Sequence, residues 1–246
     1  MKAKKYLSVI ISVALIWALL GLSEKIVSDA YNIFLYIAFA VILIALFVYQ
    51  AFLRVSLIKI LTTKLDAEKF LKSYQDLDGN KYTNSRNIYE ALACIISGEF
   101  NRAESLLKNV NKNKADIFKA DALRVLCYYL SGNHAFAKNS VLVLKSHPEI
   151  NESKNLHYSY FAEIIEFLEG EKSLDAEFLQ KYFNSIPKKD IVEVYIASYI
   201  LAQAKLRLGD RENALVLLEN VINTPCGKSV LHSNALAVTE QLRNMK

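Results

Sequence analysis

Cysteine is scarce, and nothing in its spacing pairs it. Cys94, Cys127 and Cys226 make an odd number, with no CxxC or zinc-like interval. That argues for reduced thiols in a reducing compartment rather than a metal site. Cys94 and Cys127 lie in apolar helical stretches, where a free thiol behaves as a small hydrophobe. Excess charge is missing from most of the chain as well. The net +5 belongs to residues 1–65, where seven basic residues oppose Glu24 and Asp29; the other 181 residues hold 23 charges of each sign. A pI near 8.9 is then no sign of nucleic-acid binding, which needs a basic face on the folded domain. HExxH, GxSxG, a Walker loop and a dinucleotide fingerprint are all absent. The chain is accordingly not expected to be an enzyme, and no cofactor, metal or small-molecule substrate is expected.

What is present divides at residue 53. The stretch from Tyr6 to Leu22 carries no charge, and its 17 positions reach about 26 Å as a helix, slightly under the ~30 Å hydrocarbon thickness. A second run, Ile33 to Leu53, has 21 residues and reaches about 32 Å. Ten residues separate them, enough for a turn. A cleaved signal peptide is the alternative for the first run. No small-x-small site follows Leu22, however, and a full second span begins within a dozen residues, which favours two retained spans. Lys2, Lys4 and Lys5 precede the pair, and Arg54, Lys59 and Lys64 follow it. Both termini are therefore expected on the cytoplasmic side. Trp17 and Tyr31 suit the outer interface, Tyr6 and Tyr49 the inner one. Ser12, Ala14 and Ala18 are small enough to face Ala38 and Ala45. With no charge inside either run, the hairpin is expected to anchor the chain rather than conduct ions or protons. The Lys-, Asn- and Ile-rich composition associates with AT-rich bacterial genomes, which makes the expected membrane a bacterial plasma membrane.

Beyond the anchor (residues 1–53), residues 54–82 read as a juxtamembrane amphipathic helix and turn. Its basic residues either follow anionic headgroups or continue the second span's helix, and Asp78-Gly79-Asn80 ends it. The remainder, 83–246, is organised by its few glycines and prolines. Each of the three prolines stands 11 residues after an alanine, and each alanine follows a glycine by 5 or 6. The frames are Gly132–Ala137–Pro148, Gly170–Ala176–Pro187 and Gly209–Ala214–Pro225, with a fourth, Gly98–Ala103, lacking the proline. Each glycine is expected to end a first helix in the left-handed conformation of a C-cap. Each alanine lets a second helix approach closely, and each proline stops that second helix. Ala67, Phe70, Leu71 and Tyr74 suggest an incomplete opening unit. Val230, Leu231, Ala235, Val238 and Leu242 form the stripe of a closing helix.

These frames resemble the tetratricopeptide repeat, a helix–turn–helix unit of roughly 34 residues. The resemblance covers about residues 83–226. It lacks the family's tryptophan and first Leu-Gly, and the third unit has one extra residue. Hairpin repeats of the Sel1 type would tolerate the same pattern. The expected fold is all-α: a transmembrane hairpin, then a tetratricopeptide-like α-solenoid of about four helix pairs and a capping helix.

The resemblance implies a groove lined by the first helix of each pair. Counting back ten, six and three residues from the frame glycines gives Ile88, Ala122, Tyr160 and Tyr199, then Leu92, Leu126, Ile164 and Gln203, then Ile95, Tyr129, Phe167 and Leu206. The candidate partner groove is Leu92, Ile95, Leu126, Tyr129, Tyr160, Ile164, Tyr199 and Gln203. Lys, Asn and Arg, which grip acidic tails in this family, are missing there apart from Lys119 and Arg207 nearby, so an apolar or helical segment is the expected ligand. Glu163, Glu166 and Glu169 read as a solvated helix face, and the four histidines lie too far apart to suggest a site. The role these features imply is a membrane-anchored scaffold or adaptor holding a partner protein. The alternative is an accessory or regulatory subunit of a membrane enzyme, transporter or secretion assembly.

Overall fold

The computed structural model describes residues 29–75, 83–111 and 113–244. Among them are eleven α-helices, two short 3₁₀ turns and no strand, so the all-α class holds. The chain divides into two compact units, Met1–Leu57 with Tyr74–Leu77, and Ile58–Ser73 with Asp78–Lys246.

Within the first unit lies most of α1 (Asp29–Lys64), a helix of 36 residues. From Tyr36 to Phe52 its described exposed side chains are all apolar or aromatic. Tyr36, Ile44, Phe47 and Phe52 are 62–75% exposed, and Ile37, Phe39, Val41, Leu43, Val48 and Tyr49 are exposed with them. Of the two readings for the basic stretch after Leu53, an uninterrupted helix is the one observed, since α1 continues to Lys64. Among the described residues, no helix is long and apolar enough to cross a membrane. The expected pair of spans is therefore not seen as such. The first, 6–22, lies outside the described residues, and the second, 33–53, falls in α1, where only part of the side chains is described. Of the two alanines expected between spans, Ala38 is half-buried and Ala45 exposed; Ser12, Ala14 and Ala18 lie outside the described residues.

In the second unit, Leu65 turns the chain with φ +49°. Asp66 then caps α2 (Ala67–Gln75) by accepting from the Lys69 N–H at 2.9 Å. Four helix pairs follow: α3 (Thr83–Ser97) with α4 (Phe100–Lys108), α5 (Lys114–Leu130) with α6 (His134–Ser146), α7 (Leu156–Leu168) with α8 (Ala176–Ser185), and α9 (Ile191–Arg207) with α10 (Arg211–Asn223). A last helix, α11 (Val230–Asn244), completes the unit.

The caps follow the sequence frame. Gly98, Gly132, Gly170 and Gly209 all have φ between +73° and +84°. After each, the next N–H donates back to the carbonyl five residues earlier, Glu99 to Cys94 (2.8 Å) and Asn133 to Tyr128 (2.9 Å) among them. This is the Schellman closure, which satisfies carbonyls that a helix end would leave bare. The residues before the prolines, His147, Ile186 and Thr224, are all extended, as clash with the proline ring requires. Ala103, Ala137 and Ala214 are fully buried between paired helices. Ala176 breaks the frame. It is exposed at the first position of α8, and Leu179 is the buried residue there. Leu179 and Tyr182 stand 9 and 12 residues after Gly170, as the buried Val141 and Leu144 do after Gly132, so α8 keeps the common phase and Ala176 falls one position past the buried one.

The first helices of the pairs pack in succession, α3 on α5, α5 on α7, α7 on α9, and α9 on α11. The last returns to the first, because α11 also packs on α3, with Val230 Cβ 3.6 Å from where a Cβ on Gly98 would lie. The Gly227 N–H donates to the Leu65 carbonyl at 3.3 Å, and Leu231 and Ala235 are fully buried. The terminal helix thus packs back on the beginning of the array, with Leu231 and Ala235 of the expected stripe buried. Glu163, Glu166 and Glu169 are not a solvated face. They pair with Lys172, with Lys145 of α6 (2.7 Å) and with His134 of α6 (2.8 Å).

Candidate functional site

One cleft of about 260 Å³ is bounded by the first helices of all four pairs. Residues one turn apart form each wall. Ile88, Tyr89 and Leu92 come from α3; Lys119, Ala122, Leu123 and Leu126 from α5; His157, Tyr158 and Phe161 from α7; Val192, Glu193 and Ile196 from α9. Tyr182 and Ile186 at the end of α8 close one side. The i, i+3, i+4 spacing makes these one stripe per helix.

Relative to the frame glycines the stripe drifts. On α3 and α5 it reaches to six residues before the glycine. On α7 it stops at Phe161, nine before, and on α9 at Ile196, thirteen before. Each pair is rotated slightly against the last, so a straight cleft crosses later helices nearer their N-termini. Among the sequence-predicted groove residues, Leu92 and Leu126 are brought together in the cleft. Ile95 and Ile164 are fully buried, and Tyr199 is 7% exposed. Tyr160 packs edge-on against Phe178, with ring centroids 5.2 Å apart. Tyr129 and Gln203 are half-buried outside the lining, the amide nitrogen of Gln203 without a hydrogen-bond partner among the described residues.

The polar end of the cleft was missed in the sequence. Asp190 is the N-cap of α9 and accepts from the Val192 and Glu193 N–H groups at 3.1 and 3.2 Å. Burial pushes its carboxyl above the ordinary range, more than those two bonds lower it. One Glu193 oxygen accepts from the Tyr158 hydroxyl at 3.3 Å. The other is buried without a hydrogen bond among the described residues, and the similarly bare Nε2 of His157 lies 3.4 Å away. A bare buried acceptor costs about 1–3 kcal/mol. Burial, reinforced by the nearby Glu193 carboxylate, raises the Tyr158 and Tyr182 hydroxyls. Tyr89 is raised by burial and by Asp190. The tyrosines therefore stay neutral. The available signal was a polar residue at the start of each later inner helix, His157 in α7 and Glu193 in α9, set among apolar neighbours. Local spacing gave no reason to join them.

Among the described residues no group of three His, Cys, Asp or Glu is placed to hold a metal ion. Elsewhere the buried charges act as struts. Glu90 of α3 meets Arg102 of α4 at 2.7 Å. Asp121, 4% exposed, meets Arg124 and His147, the latter at 2.8 Å. Burial pushes the Cys94 and Cys127 thiols up to about 12 and about 11, where they are inert. Compared with known proteins, this chain matches no family model, no curated protein and no solved structure.

Proposed function

We propose that this chain is a membrane-anchored adaptor whose tetratricopeptide-like array binds a segment of a partner protein in the cleft, at the cytoplasmic face of a bacterial plasma membrane. The cleft carries the reading: its lining is drawn from every helix pair of the array, so any bound segment is read by all of them together. Its volume of about 260 Å³ falls below the ~300–1,000 Å³ of small-molecule sites, a fit for one large side chain of a longer ligand.

The anchor rests on α1. Ten large apolar side chains from Tyr36 to Phe52 are exposed on it. At about half exposure each forgoes ~1 kcal/mol, on the order of 10 kcal/mol together, comparable with the whole stability of a domain. A surface of that cost calls for a non-aqueous cover, and lipid around a hairpin of residues 6–22 and 33–53 supplies it. Anchoring would raise the partner's effective concentration without high intrinsic affinity.

Carbonate extraction of native membranes tests the anchor, and the full chain is expected in the pellet. Co-purification from detergent-solubilised membranes tests the cleft. Leu92→Arg, at a half-exposed wall position, is expected to abolish partner recovery at unchanged helicity. Equal recovery contradicts the assignment. The apolar girth of α1 also favours a second reading, an accessory subunit packed laterally against other spans; recovery that needs residues 1–57 and ignores Leu92→Arg selects it.

A further inference from the structure

The cleft is apolar along its walls and acidic at one end, and that end is incompletely satisfied. The buried Glu193 oxygen has no hydrogen bond among the described residues. Tyr182, 5% exposed, lines the cleft with it. Asp116, Asp190 and Glu193 line the cleft against the single lysine, Lys119. Lys119 is exposed and makes no ion pair among the described residues.

We propose that the cleft takes one basic side chain, arginine or lysine, of the partner polypeptide, its stem between Leu92, Leu126 and Phe161 and its charged head at Glu193 and Asp190. This rests on the reading of the cleft as a protein-binding site. A long basic side chain combines an apolar stem with a donor-only head, which matches an apolar wall ending in a bare carboxylate oxygen. A guanidinium has donors to spare for the Glu193 oxygen and the Asp190 carboxylate, and the Tyr89, Tyr158 and Tyr182 side chains line the same cleft. Burial makes the Asp190 carboxylate costly, and an incoming cation would offset that cost. The competing occupant of the acidic end is the His157 ring, whose Nε2 is 3.4 Å from Glu193 without forming a hydrogen bond.

The test uses the full chain in lipid nanodiscs and two fluorescein-labelled peptides of Leu, Ala and Ser, identical except for a central Arg or Gln. The Arg peptide is expected to bind about tenfold more tightly. Glu193→Gln, which keeps the Tyr158 acceptor, and Asp190→Asn, which keeps the cap, are each expected to remove most of that preference without changing Gln-peptide binding. Glu163→Gln, outside the cleft, leaves it intact. Equal binding of the two peptides, binding of neither, or a preference that survives Glu193→Gln overturns the proposal. So does butylguanidinium competing as well as the Arg peptide, since a free small cation would then suffice. If a partner is recovered in a Leu92-dependent way and yet ignores Glu193→Gln, this inference falls alone. If no partner is recovered, the adaptor reading falls with it.

Discussion

Asp190 does two jobs that pull its carboxyl in opposite directions. As the N-cap of α9 it accepts two backbone N–H bonds, which favour the carboxylate, while burial favours the neutral acid and prevails. Folding therefore favours the protonated form. The stabilisation is complete below the ordinary carboxylate range and is lost as pH rises through the raised folded value. Asp190→Asn keeps the cap and removes the charge. It is expected to melt higher than the parent at pH 7, the gap closing toward about pH 4; a gap that widens on acidification contradicts the assignment. Cysteine gives a second check. At pH 8 the thiolate fractions of Cys94 and Cys127 are on the order of 10⁻⁴ and 10⁻³, given thiols near 12 and 11. Cys226 is only half-buried. Native alkylation should modify Cys226 alone, and unfolding should release all three; rapid native labelling of Cys94 would sink this packing.

At the scale of elements, the turns were written in the sequence because their chemistry is local. A left-handed residue followed by two closing hydrogen bonds asks for glycine whatever lies around it. That is why the Gly98, Gly132, Gly170 and Gly209 frames located four helix ends. Gly132 and Gly209 have open space where a Cβ would go, so replacing either tests the backbone alone. Gly132→Ala is expected to cost about 1–2 kcal/mol in chemical denaturation, and Gly132→Asn less, since asparagine tolerates this conformation. Equal and negligible costs would mean the cap does not hold the turn. Ala176 shows where local reading stops. Its spacing to Pro187 matches the other frames, yet it stands six residues after Gly170 instead of five, while the buried positions of α8, Leu179 and Tyr182, keep the glycine's count. Burial depends on the phase of the whole helix against its neighbour, which a single spacing cannot encode.

The largest departure from the sequence appears at the scale of the whole array. Closure of α11 onto α3 is the sum of small rotations between successive pairs, so no one pair's residues announce it. The same rotations carry the cleft toward the N-termini of α7 and α9. They explain why Leu92 and Leu126 were legible as lining and why Tyr158, Tyr182, Asp190 and Glu193 were not. Leu231, fully buried in α11, is the test position. Leu231→Ala is expected to cost about 2–5 kcal/mol. Hydrogen exchange should then accelerate in α3 as well as in α9 and α10, because the ring shares its ends. Acceleration confined to α9 and α10 would describe an open array.

The account depends most on the inner cleft being the surface that holds another protein. Site-specific photo-crosslinking in native membranes measures this, with the crosslinker placed at Leu123 in the cleft wall or at Val216, 54% exposed and outside that lining. The expected result is a discrete protein adduct from Leu123, absent from Val216 and lost when Glu193→Gln is added. Adducts of equal yield from both positions, or none from Leu123 in the folded full-length protein, would contradict it.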